Sequence, residues 1–421
     1  MAALAGSMAA QAQEEKPEEQ LEDQALDPVY WTRMRHDSAP LRMAFRGGDR
    51  KQAEAWQKQL RGKVAELLGG FPATKAPLNA RIVSVKEFPT YRRERFVFTS
   101  RPGVMVAGYL LTPKKTSGPH AAMVCVPGHG RGVDDIVGID AQGREREDKA
   151  GYQHDFALQA VEHGMAAVAI EPMAFGCRRD ERTKKKGAGT SACQPAAGAA
   201  LLLGETMIGW RVYDVMRTID WIETRKDLDS ARVGCMGISG GGTCTLFATA
   251  LEPRIKVAMV SGYLNTFRDC ILSLSHCIDN YVPGILQWAE MYDVAGLIAP
   301  RPLFAESGTR DPIFPIAVSR ESFARVKQIY GAFEAEGAVE QEVFEGEHLF
   351  AVERLVVSPA AGIFTPLSDI ADGSTITVGM VLGHIGDTEV RSPFAGILQS
   401  YIAVQGERIT LRQPIAWLRT V

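Results

Sequence analysis

The segment 237–241 reads Gly-Ile-Ser-Gly-Gly and is the clearest candidate for chemistry in the chain. It fits the pattern Gly-x-Ser-x-Gly, with an apolar stretch at 232–236 before it and a run of small residues at 242–250 after it. A strand that turns directly into a helix strains the backbone of the serine, and glycines let the neighbouring main chain approach closely. The Ser239 hydroxyl would then stand at a helix N-terminus, where free N–H groups favour developing negative charge. This context favours a nucleophilic serine over a glycine-rich turn.

A serine hydroxyl becomes a good nucleophile only when a base accepts its proton. The histidines that follow Ser239 are His276, His348 and His384. His348 lies in the loop after an apolar-alternating stretch at 339–344, which predicts a last sheet strand. His276 precedes the predicted acid, and His384 lies in a separate C-terminal segment. His348 is therefore the predicted base.

The predicted acid is Asp311. Residues 302–308 have the pattern of a buried strand followed by a turn, and Asp311 lies in the loop after this strand. A carboxylate there could hold the imidazole in the required tautomer and stabilise its protonated form. Glu306, at the end of the same strand, is the alternative, but it is interpreted as a structural hydrogen-bonding residue.

An oxyanion hole needs two N–H donors aimed at the tetrahedral intermediate. One is expected from Gly240, the residue after the serine. The other is expected from the His-Gly loop at 128–132, which follows an apolar strand, with the amide of Arg131 or Gly130 as the candidate.

Pocket residues are less sharply indicated. His129 is interpreted as a structural loop histidine beside the pocket. The segment 270–288 contains His276, Tyr281 and Trp288, which could shape the pocket, although ordinary packing explains each of them equally well.

These residues lie in segments that resemble a known family. Residues 209–214, 299–303 and 308–315, together with the serine segment, resemble the dienelactone hydrolase and acetyl xylan esterase branch of the α/β-hydrolases. The resemblance covers roughly residues 80–350 and implies a catalytic triad of Ser239, Asp311 and His348. It also has departures. Dienelactone hydrolases use a cysteine nucleophile, so that activity is not expected, and β-type sequence replaces the family's closing helix soon after His348.

The pattern along the chain agrees with an α/β fold. Stretches at 80–88, 92–99 and 104–111 predict an antiparallel start of the sheet, and helices are predicted at 28–34 and 50–68. From residue 121, continuous apolar strands alternate with helices, as in a mostly parallel sheet covered on both faces. The long connection at 171–206 is interpreted as a pocket wall or cap.

The last 70 or so residues contain an internal repeat. The segment 358–364 recurs at 392–398, and 373–377 recurs at 406–410. This arrangement resembles the biotinyl/lipoyl carrier domain, a small all-β barrel-sandwich hybrid. Carrier domains present a modifiable lysine, but no lysine follows Lys327. A non-carrier module is predicted, with oligomerisation or covering of the active site as its role and ligand binding left open.

Composition limits the classes of protein to which the chain could belong. The 421 residues are 46% hydrophobic and 23% charged with a net charge of −3, which gives no reason to expect nucleic acid, and no apolar run is long enough to span a membrane. Seven cysteines at scattered positions predict neither a disulfide framework nor a metal site, and no cofactor is expected. The predicted organisation is a disordered tail at 1–27, a catalytic domain at 28–352 and a β domain at 353–421. A cytoplasmic location is expected, with export as the alternative.

The resulting prediction is a serine carboxylic-ester hydrolase that forms an acyl-enzyme on small short-chain or acetyl esters and assembles as a homo-oligomer. A serine peptidase or acyltransferase with the same triad is one alternative. A non-catalytic binding protein that kept the fold is another.

Overall fold

A nine-stranded sheet forms the centre of the protein between residues 81 and 344, in the order β1-β2-β3-β5-β4-β6-β7-β8-β9. The strands from β4 to β9 run parallel, whereas β1, β2 and β3 pair antiparallel, and β3 also pairs antiparallel with β5. The predicted antiparallel start and mostly parallel remainder are confirmed. In this computed structural model, the described residues are 27–146, 153–274, 276–348, 353–393, 396–411 and 413–419. The strands are β1 (Arg81–Glu87), β2 (Tyr91–Arg101), β3 (Val104–Pro113), β4 (His120–Val126), β5 (Ala166–Ile170), β6 (Leu228–Ile238), β7 (Ile255–Ser261), β8 (Leu303–Gly308) and β9 (Val339–Phe344).

Both faces of the central parallel strands are buried because successive strand residues join different hydrophobic clusters. Val124 and Val168 belong to the larger cluster, whereas their neighbours Cys125 and Ala169 belong to a second one. This division explains why the parallel strands are apolar throughout rather than alternating.

Helices cover these faces. The helix at Arg50–Leu67 begins with a capping box between Asp49 and Gln52 and buries one apolar stripe that includes Leu60 and Val64. The helices are α1 (Pro28–Asp37), α2 (Arg50–Leu67), α3 (Phe156–Glu162), α4 (Glu181–Lys184), α5 (Cys193–Leu202), α6 (Met207–Glu223), α7 (Gly240–Leu251), α8 (Met291–Gly296) and α9 (Ile316–Gly331). Within the described ranges, none of these helices is both long and apolar enough to cross a membrane.

The register of the parallel strands brings their carboxyl ends to one edge of the sheet. Val126 pairs with Gly237, Ile238 with Ser261, Ser261 with Glu306, and Gly308 with Phe344. The loops that follow β4, β6, β7, β8 and β9 therefore emerge side by side. Ligand sites in parallel sheets form at this edge.

The C-terminal segment forms two four-stranded antiparallel sheets, ordered β10-β17-β15-β12 and β14-β13-β11-β16. The sequence repeat is visible in the pairing, since Gly362 pairs with Ile409 while its repeat equivalent Gly396 pairs with Ile376. Each half thus contributes a short strand to the sheet of the other half. The strands are β10 (Glu353–Val357), β11 (Gly362–Pro366), β12 (Thr375–Ile376), β13 (Val381–Ile385), β14 (Thr388–Arg391), β15 (Gly396–Tyr401), β16 (Arg408–Ile409) and β17 (Pro414–Arg419).

Candidate active site

Ser239 occupies the sharp turn between β6 and α7. Its backbone has φ 56° and ψ −121°, a conformation that is strained for a residue with a side chain. The flanking glycines are needed, because a Cβ at Gly237 would lie 2.3 Å from Gly241 O and one at Gly241 would lie 1.9 Å from Val126 O. The turn predicted from Gly-x-Ser-x-Gly is present.

The end of β7 connects Ser239 to His348. The Ser239 amide donates to Ser261 O at 2.9 Å. The next residue, Gly262, has φ +58°, and a Cβ on it would lie 2.9 Å from His348 Cε1. The imidazole therefore packs directly against the backbone that holds the serine turn.

Asp311 holds the His348 ring in one orientation. Its Oδ2 lies 2.8 Å from His348 Nδ1, and its Oδ1 accepts N–H bonds from Ile313 at 2.8 Å and Phe314 at 3.0 Å. The carboxylate is buried, and the Phe314 ring stacks on the imidazole with centroids 5.2 Å apart. Since Nδ1 faces a carboxylate, the other ring nitrogen, Nε2, is left as the acceptor.

His348 Nε2 is buried and has no hydrogen-bond partner among the described residues. Within those same ranges, Ser239 Oγ is not hydrogen-bonded to it. A buried polar atom without a partner is uncommon and calls for an explanation. The arrangement leaves one basic nitrogen inside the site, ready to accept a proton.

The loops that carry Asp311 and His348 are joined to each other. The Thr309 amide donates to Phe344 O at 2.9 Å, and the Arg310 amide donates to Gly346 O at 2.8 Å. Glu306, the alternative acid, lies on β8 instead, where burial raises the pKa of its carboxyl and Ser261 is its hydrogen-bonding neighbour. The structure brings Asp311, and not Glu306, into contact with His348.

The loop at 128–132 lies beside the serine, as predicted, since a Cβ on Gly128 would be 3.1 Å from Ser239 Cβ. The expectation that Arg131 supplies an oxyanion N–H is wrong, because its amide already donates to Asp135 Oδ2 at 2.6 Å. Gly128 N likewise donates to Gln153 Oε1 at 2.8 Å. Among the described residues, the amides of His129 and Gly130 have no acceptor. They are the remaining candidates to act with Gly240, the first residue of α7.

The predicted pocket residues divide into two groups. His276 and Tyr281 line a cleft of about 530 Å³ together with Leu201 and Val282, and burial lowers the pKa of His276 to about 4. The prediction for Trp288 is wrong. Its ring is not among those lining this cleft and instead carries the Lys63 ammonium 4.4 Å from its centroid.

Two polar features at this edge of the sheet were not predicted from the sequence. His129 meets Cys193, Cys277 and Asp279 within 4.8 Å, although widely separated positions had predicted no metal-ligand cluster. A hydrogen bond from Cys277 is the largest cause that lowers the pKa of the Cys193 thiol well below its ordinary value. The spacing of positions 129, 193, 277 and 279 along the chain matches no short metal-binding motif, so only the fold could reveal this cluster of side chains.

The second missed feature is Glu171, which follows β5. Its fully buried carboxylate accepts N–H bonds from Val133 at 3.0 Å and Cys177 at 3.2 Å. Burial raises its pKa to about 7. Glycines at 132 and 176 make room for it, since a Cβ on either would lie 2.0 Å from a carboxylate oxygen.

Comparisons with known proteins agree with this architecture. The Bacillus subtilis (strain 168) protein named "Putative hydrolase YtaP" is 25% identical over 266 residues, which are 61% of this chain and 81% of that protein. A "putative acetyl xylan esterase" from Bacteroides fragilis NCTC 9343 superposes with a TM-score of 0.64 at 21% identity, covering 76% of this chain and 82% of that one. A glucuronoyl esterase from Solibacter usitatus gives 0.53 at 15% identity, covering 71% and 90%. These structures share the α/β-hydrolase fold. The sequence model of the Abhydrolase family matches residues 31–323, more than half of the chain, and the protein therefore belongs to the Abhydrolase family.

Proposed function

We propose that the protein is a serine carboxylic-ester hydrolase in which Ser239, His348 and Asp311 form the catalytic triad. The observation that carries the proposal is the buried Nε2 of His348, which has no hydrogen-bond partner among the described residues and whose Nδ1 is fixed by Asp311 beside the strained serine turn. A neutral imidazole in that position can act only as a proton acceptor at Nε2. The esterase names of the two superposed structures support the same chemistry.

The proposed reaction begins when His348 Nε2 accepts the Ser239 hydroxyl proton and Oγ attacks the ester carbonyl carbon. The oxyanion that forms lies between the Gly240 N–H and an N–H of His129 or Gly130. The protonated imidazole then gives its proton to the leaving alcohol, and an acyl-enzyme remains. His348 next deprotonates a water that attacks this acyl group, after which the carboxylic acid leaves and Ser239 regains its proton.

Substrates are proposed to be small esters with short acyl groups, acetyl esters above all. The cleft beside His276 is lined mainly by apolar side chains, which suits a compact acyl or alcohol group. An acyl-chain series of p-nitrophenyl esters tests this, with the fastest turnover expected at acetyl and a decline toward longer chains. Peptide amides assayed in parallel distinguish an esterase from a peptidase.

The central test is Ser239→Ala. We expect the variant to fold and to lose turnover of p-nitrophenyl acetate by about 10⁴-fold or more, because removal of the nucleophile abolishes the covalent route. A fluorophosphonate probe should label the wild-type protein at Ser239 and leave the variant unlabelled. Undiminished turnover in the variant would contradict the proposal, and a wild-type protein that is inert to the probe would point to a binding protein instead.

We also propose that residues 353–421 form a biotinyl/lipoyl-like module that carries no cofactor. The exchange of short strands between its two halves supports this assignment, and the absence of lysine after Lys327 removes the amine that a carrier needs. Self-association through this module is the proposed role.

A further inference from the structure

Four side chains with metal-binding atoms converge next to the serine turn. They are His129, Cys193, Cys277 and Asp279, and one donor atom of each lies within 4.8 Å of the others. Asp279 Oδ2 is 3.2 Å from Cys193 Sγ and 3.5 Å from His129 Nε2. Cys193 Sγ is 3.8 Å from His129 Nε2. These side chains come from three separate parts of the chain, and none of them belongs to the proposed triad.

The separations suit a tetrahedral zinc ion. Zinc binds thiolates at about 2.3 Å and nitrogen or oxygen at about 2.0–2.2 Å, so the ligand atoms of a tetrahedral site are about 3.3–3.8 Å from one another. Three of the six distances, those among His129, Cys193 and Asp279, fall in or next to this range, and the donor atom of Cys277 lies within 4.8 Å of each of the other three. Two sulfurs, an imidazole nitrogen and a carboxylate oxygen are also the donors that zinc prefers.

The balance of charges in the cluster also favours a zinc ion. Two thiolates and one carboxylate carry three negative charges, which Zn²⁺ and the buried guanidinium of Arg211 together neutralise. Arg211 lies 2.5 Å from Asp279 Oδ2 and donates to Cys193 Sγ at 3.3 Å, while Asn280 Nδ2 donates to Asp279 Oδ1 at 2.9 Å. Such outer hydrogen bonds orient metal ligands.

A simple disulfide explains less of the geometry. A bond between Cys193 and Cys277 would join the start of α5 to the turn before Asp279, but it would give His129 no role. Asp279 and Cys193 are buried, and the His129 ring packs against Phe175 with its Nε2 turned to the same point. Four donor atoms that converge in this way could hold one shared ion.

We propose that His129, Cys193, Cys277 and Asp279 bind one Zn²⁺ in a closed structural site. The ion joins the 128–132 loop to α5 and to the 277–280 turn, three segments at the pocket that the sheet itself does not fix. Both thiols lose their protons on binding, so zinc binding releases protons and weakens as the pH falls. This inference does not depend on ester hydrolysis.

The test is the zinc content of untagged wild-type protein, purified without chelator and measured by elemental mass spectrometry. We expect one zinc per chain, and less than about 0.1 per chain in Cys193→Ser and Cys277→Ser, since each loses a thiolate ligand. Cys177→Ser is the matched control, because Cys177 is exposed and outside the cluster, and should retain one zinc. Replacement of zinc by Co²⁺ should give the thiolate charge-transfer and visible bands of a tetrahedral site.

Wild-type protein that is free of zinc and takes up none when titrated would overturn the inference. In that case a thiol count after unfolding identifies the alternative. Seven thiols would indicate free cysteines, whereas five, with a mass lower by two hydrogens, would indicate one disulfide, which a cross-linked peptide containing Cys193 and Cys277 would locate. Zinc that persists in the Cys193→Ser/Cys277→Ser double variant would also overturn it. The wild-type measurements decide even if the variants do not fold.

Discussion

At the scale of single residues, Asp311 has the most narrowly defined position in the site. One carboxylate oxygen contacts His348 Nδ1 and the other accepts two backbone N–H bonds. Asp311→Asn should keep the fold but lower kcat for p-nitrophenyl acetate by about 10⁴-fold, because an amide cannot hold the imidazole in the required tautomer. Steady-state kinetics with circular dichroism as the check on folding measures this.

Glu306→Gln is the matched control for Asp311→Asn. Glu306 lies on β8, the strand before the Asp311 loop, and has no hydrogen bond to His348 among the described residues. Its substitution should therefore leave kcat within about twofold, the factor that corresponds to about 0.5 kcal/mol. If Glu306→Gln were the inactive variant and Asp311→Asn the active one, the assignment of the acid would have to be reversed.

Single residues also show how far sequence reasoning reaches. Ser239, Asp311 and His348 could be selected because each follows a recognisable strand and the three occur in a fixed chain order. Arg131 could not be excluded, since the use of its amide by Asp135 depends on the loop conformation. The cluster of His129, Cys193, Cys277 and Asp279 could not be predicted either, because it also depends on the conformation of loops.

At the scale of elements, the carboxyl end of β7 positions the imidazole. Gly262→Ala places a methyl group 2.9 Å from His348 Cε1 at a φ of +58°, so the ring must move. We expect kcat/KM to fall by about 10²-fold, the effect of a displacement of about 1 Å. The left-handed backbone should also lower the free energy of unfolding by about 1–2 kcal/mol.

Gly103→Ala separates these two effects. Gly103 has φ +77°, and beyond its two chain neighbours no heavy atom of the described residues lies within 4 Å of the position that an added methyl group would take, so the variant carries the backbone strain without the contact. Kinetics and denaturant unfolding of both variants make the comparison. Equal losses of kcat/KM in the two variants would show that strain alone, and not displacement of His348, explains the result.

Glu171, at the end of β5, makes stability depend on pH. Its pKa is raised to about 7 in the folded protein by burial, against 4.5 for the ordinary group. The folded state therefore binds more protons between these values, so the contribution of Glu171 to stability is greatest below pH 4.5 and falls as the pH rises toward 7. The contribution that is lost is about 3 kcal/mol.

Glu171→Gln should remove this slope, because glutamine does not titrate. Urea unfolding at pH 5, 6 and 7 measures it, with the wild-type protein showing the steeper decline of the free energy of unfolding. An identical decline in both proteins would assign the pH dependence to other groups.

Elements of regular structure were predictable because their periodicity is local. The strands at 81–87 and 339–344 and the helix at 50–67 agree closely with the sequence patterns. The connection at 171–206 contains two short helices whose positions depend on contacts with the pocket. The spacing of hydrophobic residues in the sequence does not predict those contacts. Trp288 was misplaced for this reason, since its partners Lys63 and Arg42 lie far away in the chain.

At the scale of the whole molecule, the buried hydrophobic residues form two groups that come from different parts of the chain. Among the described residues, the clusters around the central sheet draw their buried members from residues 53 to 339, whereas the cluster of the C-terminal sheets draws its members from residues 356 to 418. Since a domain is defined by its own core, we infer that the catalytic part and the C-terminal module fold independently.

A chain ending at residue 352 tests this inference together with the proposed role of the module. The shortened protein should remain folded and hydrolyse p-nitrophenyl acetate with a kcat/KM within about twofold of the full chain, because it retains both faces of the central sheet. Light scattering coupled to size exclusion should show a smaller assembly than the full chain if the module joins subunits. Equal oligomeric states would reject the self-association role while leaving the domain division intact. An aggregated or inactive fragment would instead show that the central sheet needs the module to fold or to keep the His348 loop in position.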